Sequence, residues 1–550
     1  MQKSKRVLPK INLVIIMMAL AIGAISQWPS FFNPFIIIDD VRQHVYWMQQ
    51  FQNSNLFQND LMTEYAKNYQ PWGFVIFYYI FSFIIDPMVL SKILPVLLFA
   101  VSSVYLFRLV QHIAGNFAAL LASFIFMMTP IYLDRMVGGL PRAFGYPLIL
   151  IFLFYLIKRD HLKTAIILVL QCLFYPLIFM LAAGTCFLSL IKIQGRKIHF
   201  EKNPIKIRYF ILSAILSLSI LGGKYLISHN PQIGSIVTRQ EMIGKSEFYS
   251  EGRFSILPTP PIYPEIRSNL IQGISFSEKI FGSKTAKAFM DSRFLEVLLC
   301  FGLLFLIIEV KRKKLQVPVE ILFLFISAIL MYVIADLLLF HFFLPIRYLK
   351  YAVPWLGIIF CSLIIGQVIL KIKNDRIKKG IQICLFILMF SVVKIPVGLG
   401  LINMSQYQGL YGFLQDLPED SMIAAHPDLA DGIPTFSQKK VFINYELSHC
   451  VFDNYWKTMK KRTLDFFTAY YSEDPLFVEQ FCQENGIDYL IVDQQHFTKQ
   501  YLREARIHFE PFNTYVKKLT QDRENFILNQ FPEKYKIYSD KHIFVIKTNP

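Results

Sequence analysis

Two adjacent carboxylates, Asp39 and Asp40, stand in the stretch NPFIIIDDVRQHVYWMQQF, residues 33–51, just after the first long apolar run of this 550-residue chain. Neighbouring carboxylates repel and can raise each other's pKa, so such a pair either binds a cation or holds a proton. Both uses suit a general base or a metal ligand. If the following segment is helical, Gln43 lies four residues beyond Asp39 and His44 four beyond Asp40, each on its partner's face. The competing reading is a solvated pair that caps a helix.

Cations stand at comparable places. LPIRYLKYAVP, residues 344–354, puts Arg347 and Lys350 at the mouth of another apolar run. There a guanidinium clamps phosphate in bidentate fashion, or else snorkels to lipid headgroups. Arg142, in DRMVGGLPR, and Arg239, in SIVTRQEM, carry the same two readings.

These residues need a scaffold, and composition identifies its solvent. Hydrophobic residues make up 54% of the chain and charged ones 17%, with a mean hydropathy of +0.42, too apolar for a soluble chain of this length. The apolar residues cluster in runs long enough to cross about 30 Å of hydrocarbon. The first, from Ile11 to about Trp28, follows a basic stretch but is longer than a signal-peptide core, lacks a small-residue cleavage site and precedes many more runs. It reads as a signal anchor.

The net charge of +17 is concentrated between the runs, at Lys158/Arg159/Lys163, at 192–208, at 311–314 and at 371–379. Such placement marks cytoplasmic loops rather than a nucleic-acid surface. Expected spans cover residues 11–28, 91–111, 115–133, 143–158, 163–175, 176–192, 207–227, 294–311, 317–340, 351–371 and 379–403, about eleven in all. Residues 72–85 are too short a run and lie at the interface or re-enter. With this parity the N-terminus is cytoplasmic, and residues 30–90, 134–142, 228–293 and 341–350 are external loops. The fold class is therefore an α-helical polytopic membrane protein (1–403) carrying a small external α/β domain (404–550), in which short β-branched runs alternate with amphipathic helices. That domain has no phosphate loop, dinucleotide fingerprint or nucleophile elbow and reads as accessory. Of seven cysteines only Cys450 and Cys482 lie in it, as a disulfide or as two thiols.

The acidic pair in the first external loop resembles the motif of the GT-C superfamily of membrane glycosyltransferases, which use lipid-linked sugars. TPIYLDRMVGGLPRAFGYPL, residues 129–148, is similar to the second external loop of that superfamily's oligosaccharyltransferase branch. Pro141-Arg142-Ala143 stands where that branch has an Asp-x-Asp metal motif. This leaves Asp134 nearby, with Asp40 and Glu241 of SIVTRQEM as the other carboxylates able to join a divalent Mg or Mn site. The resemblance implies an inverting glycosyltransferase in a bacterial plasma membrane, working in glycan biosynthesis of the cell envelope. It would take a sugar from a polyprenyl-(pyro)phosphate to a lipid, glycan or protein acceptor. Asp39 or Asp40 would be the base, with His44 assisting, and Arg347, Lys350, Arg142 and Arg239 would be substrate-binding cations. Two rivals stand beside it. A flippase or transporter would carry charge within its spans, where only Lys224 and Asp336 stand out, and a non-catalytic protein would keep the scaffold alone.

Overall fold

A computed structural model describes residues 2–194, 197–227, 230–274, 293–312, 315–392 and 395–548. Arg196, Lys313, Lys314 and residues 228–229 and 275–292 of the expected external loop lie outside the described residues, as do the side chains of 2–9, 192–198 and 293–300.

Runs of Leu, Ile and Phe bury no backbone polarity in hydrocarbon only if every N–H and C=O is paired within the run, and helices result. Among the described residues five are long and apolar enough to cross a membrane: Lys10–Phe32, Pro87–Met128, Pro204–Ile227, Val319–Leu337 and Ile346–Leu370. The fold is thus mostly α-helical and polytopic. The Pro204–Ile227 helix turns Ile211, Leu212, Ile215, Leu216 and Leu218 outward, a face suited to lipid rather than water.

Pro87–Met128 is two helices. Asp86 caps it by accepting the N–H groups of Met88 and Val89, and Pro87 opens it. At Gly115 the backbone turns to φ +80° and ψ −178°, a region that only glycine enters freely. The halves then fold back on each other. Phe99 stacks on Phe126 at 5.6 Å, and the Ser123 hydroxyl donates to the Ser103 carbonyl at 3.3 Å. The expected pair 91–111 and 115–133 is this hairpin.

Other expectations need adjustment. The runs 143–158, 163–175 and 176–192 form the helices Gly145–Ile157, His161–Phe174 and Pro176–Ser189, of 13, 14 and 14 residues. At 1.5 Å per residue each is about 20 Å long, less than the hydrocarbon core. The run placed at 379–403 ends as a helix at Val392, and residues 395–401 return to the first helix, where the Ser26 hydroxyl donates to the Pro396 carbonyl at 2.7 Å. Trp72–Ser82 is an 11-residue helix, packed so closely that a Cβ on Gly73 would meet Leu173 Cβ at 2.6 Å.

The expected external loop 228–293 divides its described residues between two neighbours. Its first half joins the C-terminal domain, with Val237 N–H donating to the Val451 carbonyl at 2.9 Å and Tyr455 N–H to that of Ile233 at 3.0 Å. Its second half is a helix, Ile262–Ile274, laid along Ile346–Leu370. A Cβ on Gly273 would come within 2.1 Å of the Pro354 carbonyl. Pro354 lies roughly 12 Å along its helix from Ile346, so this part of the loop runs beside the bundle rather than above it.

The C-terminal domain is α/β as expected. Its five-stranded sheet has the spatial order Lys440–Val441, Met422–Ala424, Tyr489–Asp493, Ile543–Lys547, Lys536–Asp540, the first three strands parallel and the last two antiparallel to their neighbours. Helices such as Asp453–Tyr470 and Phe512–Thr520 pack around it. Cys450 and Cys482 are free, buried thiols.

Candidate functional site

The acidic pair is held where the first helix meets the C-terminal domain. Beyond Phe32, Ile36–Ile37 pairs antiparallel with Ile402–Asn403, and the Asn33 side chain donates to Ser405 Oγ at 2.8 Å. Lys92 closes the corner from below, its ammonium donating to the carbonyls of Ser30 and Asn33 at 2.8 and 2.9 Å. A single helical turn, Val41–His44, follows Asp40, which occupies the N-cap position with φ −62° and ψ −14°. That is helical backbone rather than the extended geometry a cap requires, and the Asp40 side chain makes no capping bond. Each carboxylate instead meets an arginine: Asp39 pairs with Arg42, and Asp40 with Arg142.

Arg142 reaches Asp40 because residues 134–142 fold tightly beneath it. Gly138 (φ +85°) packs on Ile38 and Val41, where a Cβ would meet Ile38 Cγ2 at 2.6 Å. The turn Pro141–Phe144 leads into the Gly145–Ile157 helix, and the Tyr351 hydroxyl donates to the Arg142 carbonyl at 3.2 Å. Arg347 begins the Ile346–Leu370 helix. It is half-buried beside Tyr175 and Tyr351 and within electrostatic reach of Asp40. Lys350, one turn on, neighbours Arg347 and Arg135, with Glu265 as the opposing charge. Arg142 and Arg347 thus act on Asp40 directly, while Lys350 and Arg135 extend the group of cations beyond Arg347.

Burial pushes the Asp40 carboxyl up, but Arg142, His44 and Arg347 outweigh it and hold the group below the usual carboxylate range. Asp40 is thus ionised at neutral pH. His44 is lowered to about 4 by burial, with Arg142 and Arg347 adding to the effect against Asp40 and a Gln70 bond. Its Nδ1 lies 2.6 Å from Gln70 Nε2, and the ring meets the edge of Tyr69. A neutral imidazole therefore sits beside an ionised carboxylate, placed to hydrogen-bond rather than to hold a proton.

The domain read as accessory supplies part of this site. Arg42 lies between Asp39 and Asp431 Oδ2, the latter at 3.9 Å. Asp431 Oδ1 accepts the N–H groups of Tyr445 and Glu446 at 2.8 and 3.0 Å, and burial pushes its carboxyl up to about 7. Glu446 in turn meets Arg253 at 3.4 Å. Gln43, on the Asp39 face, lies 3.0 Å from His449 Nε2, whose Nδ1 is 2.9 Å from the Tyr65 hydroxyl.

The remaining candidates have other neighbours. Arg239 pairs with Asp336 at 2.6 Å, an exchange that also accounts for the charge on the Val319–Leu337 helix. Glu241 accepts from the N–H and hydroxyl of Thr238 at 2.7 and 2.8 Å, closing a capping box on its own four-residue helix. Asp134 faces Gly400, where a Cβ would lie 3.0 Å from Oδ1. With Asp40 on Arg142 and Glu241 on Thr238, the three metal candidates do not converge, and among the described residues no three His, Cys, Asp or Glu side chains are grouped to hold a metal ion.

Arg42, Arg135, Tyr175, Asp431, Glu446 and His449 escaped the sequence reading. Tyr175, ahead of Pro176 at a helix junction, had a local signal. The C-terminal residues had none, because their partners lie far away in the chain.

No protein-family model matches this chain, and no curated protein sequence does. Its fold is similar to that of the solved oligosaccharyltransferase of Archaeoglobus fulgidus in the apo form, with a TM-score of 0.50 at 12% identity over 96% of this chain and 72% of that one. The archaeal oligosaccharyltransferase AglB from Archaeoglobus fulgidus, in complex with an inhibitory peptide and a dolichol-phosphate, gives 0.47 at 12% identity over 92% and 72%. The Archaeoglobus fulgidus oligosaccharyltransferase complex with Zn and sulfate gives 0.46 at 13% over 92% and 70%. At such identity the likeness is one of fold.

Proposed function

We propose that the chain is a membrane glycosyltransferase of GT-C type that moves a sugar from a polyprenyl-(pyro)phosphate donor to a lipid, glycan or protein acceptor at the outer face of a bacterial plasma membrane. One observation carries this reading: an acidic pair and a group of cations meet at one end of a helical bundle whose fold resembles an oligosaccharyltransferase. The helices cross about eleven times, with the short central ones contributing, so that the N-terminus is cytoplasmic and the C-terminal domain external.

In this reading Asp39, the more exposed of the pair at 41% against 28%, takes the proton of the acceptor hydroxyl. The freed oxygen bonds to the anomeric carbon from the face opposite the phosphate, the carbon–phosphate oxygen bond breaks, and configuration inverts. Arg347, Lys350 and Arg142 stabilise the charge growing on the phosphate as it leaves. Asp40 and His44 orient the acceptor. Arg239 and Glu241, held elsewhere, serve the loop. Among the described residues the carboxylates do not group for a metal, and the roles above fall to the side chains themselves.

The paired state of both carboxylates favours one rival, a non-catalytic scaffold in which Arg42 and Arg142 are simply clamps. Transfer of radiolabelled sugar from a polyprenyl-phosphate donor in proteoliposomes separates the two. Wild type transfers label, and Asp39→Asn and Asp40→Asn each lower the rate by roughly 10² to 10⁴ while keeping wild-type expression and unfolding temperature. Wild-type rates in both variants, or no transfer by wild type, sink the proposal.

A further inference from the structure

The acidic turn is held from two directions. Arg142 approaches Asp40 from the helical bundle, whereas among the described residues the ion-pair partner of Asp39 is Arg42, three residues along the same turn. An arginine so close in sequence would swing with the carboxylate it holds. What fixes Arg42 lies outside the bundle. Its side chain is 8% exposed, and its second nitrogen faces Asp431, itself 5% exposed. Asp431 is anchored in turn by two backbone N–H groups, those of Tyr445 and Glu446. A buried guanidinium shared by two carboxylates takes its position from the more rigid partner, and here that partner belongs to the C-terminal domain.

We propose that Asp431 is a positioning residue for Asp39, acting through Arg42, so that the C-terminal domain sets the geometry of the acidic pair in the bundle. This rests on the glycosyltransferase reading for its chemical consequence, but not for the contact itself. Asp431 touches neither donor nor acceptor. It holds Arg42, and Arg42 holds the carboxylate in line with the acceptor hydroxyl, where a small misplacement is costly in rate.

The prediction is one of dependence. Because Asp431 acts only through Arg42, its loss costs nothing further once Arg42 has gone, whereas two separate structural losses would add. Full-length Asp431→Asn, Arg42→Gln and the double variant are compared with wild type in kcat and KM per folded molecule, with Arg42→Lys and Asp431→Glu as conservative partners. The expected result is that Asp431→Asn lowers kcat on the order of tenfold with KM for the lipid donor unchanged, and that the double variant matches Arg42→Gln. Arg42→Lys and Asp431→Glu recover part of the rate. Multiplied losses in the double variant, or no recovery by the conservative changes, overturn the inference. Thermal unfolding of the same proteins gives a reading that needs no activity. If wild type transfers no sugar the glycosyltransferase reading fails, and the midpoints then decide the contact alone: a double variant no less stable than Arg42→Gln supports it, and additive falls refute it.

Discussion

Arg347 differs from the other cations of the site in its surroundings. Tyr175 and Tyr351 flank it, the Phe343 ring lies 5.8 Å from its guanidinium carbon, and Asp40 is the nearby counter-charge. Aromatic walls exclude water and orient a planar group, so the fork is presented in a fixed plane to whatever anion arrives. A lysine would keep the charge and lose the plane. Arg347→Ala is therefore expected to lower kcat/KM for the lipid donor by roughly 10² to 10³, the range for removing one donor to a developing anion, and Arg347→Lys by about tenfold. Equal rates for both variants and wild type would make Arg347 a headgroup anchor. Asp39, Asp40, His44, Arg142 and Arg347, which the fold brings near one another, stand out in the sequence because each is a polar residue at the mouth of an apolar run, where such residues are few. Arg42 is as close to the acidic pair, yet DDVRQH gives no sign that its guanidinium faces a second acidic group, Asp431, far along the chain.

Among the elements, the hairpin centred on Gly115 makes the plainest demand on sequence. Two apolar helices joined only by the short polar stretch 111–116 must reverse within a few residues, and the backbone at Gly115 does so in a region barred to residues with a Cβ. A Cβ there would touch nothing within 4 Å, so the cost of adding one is purely conformational. Gly115→Ala should destabilise the protein by about 1 to 3 kcal/mol, read as a lower unfolding temperature in detergent. An unchanged temperature would mean that the turn relaxes into ordinary helical geometry. The sequence reading separated these two helices correctly because apolar length alone required a break. It failed at Ile262–Ile274, whose residues are mixed in polarity and read as loop. That helix is fixed by the fit of Gly273 and Gly357 against the neighbouring backbone, which no periodicity reveals.

At the scale of the molecule the two ends of the bundle differ in charge. Lys158 and Lys163 lie over Phe154 and Tyr155, and Lys371 meets Glu309 at 2.9 Å, all at helix ends remote from the acidic pair. The site and the C-terminal domain occupy the other end. If the basic end is cytoplasmic, a reporter fused after Pro550 is active only outside the cytoplasm. Activity of a cytoplasmic reporter there would invert the whole arrangement and remove the site from any outer-leaflet donor. Charge placement is what the sequence offers in support of this orientation. The union of the two domains was not readable, since Gln43 and His449 are 406 residues apart.

That separation also sets a timetable. Asn33 bonds Ser405 across 372 intervening steps of chain, and the acidic turn hangs from the same two-stranded junction. At about 5 to 20 residues per second, a ribosome delivers the second half of the junction roughly 20 to 75 s after the first. Throughout that interval Asp39 and Asp40 have neither the strand beside them nor Asp431 to fix Arg42. Nascent chains arrested before residue 402 would carry the entire acidic motif without its supports, so the arrangement is completed by a segment made long after the acidic residues themselves.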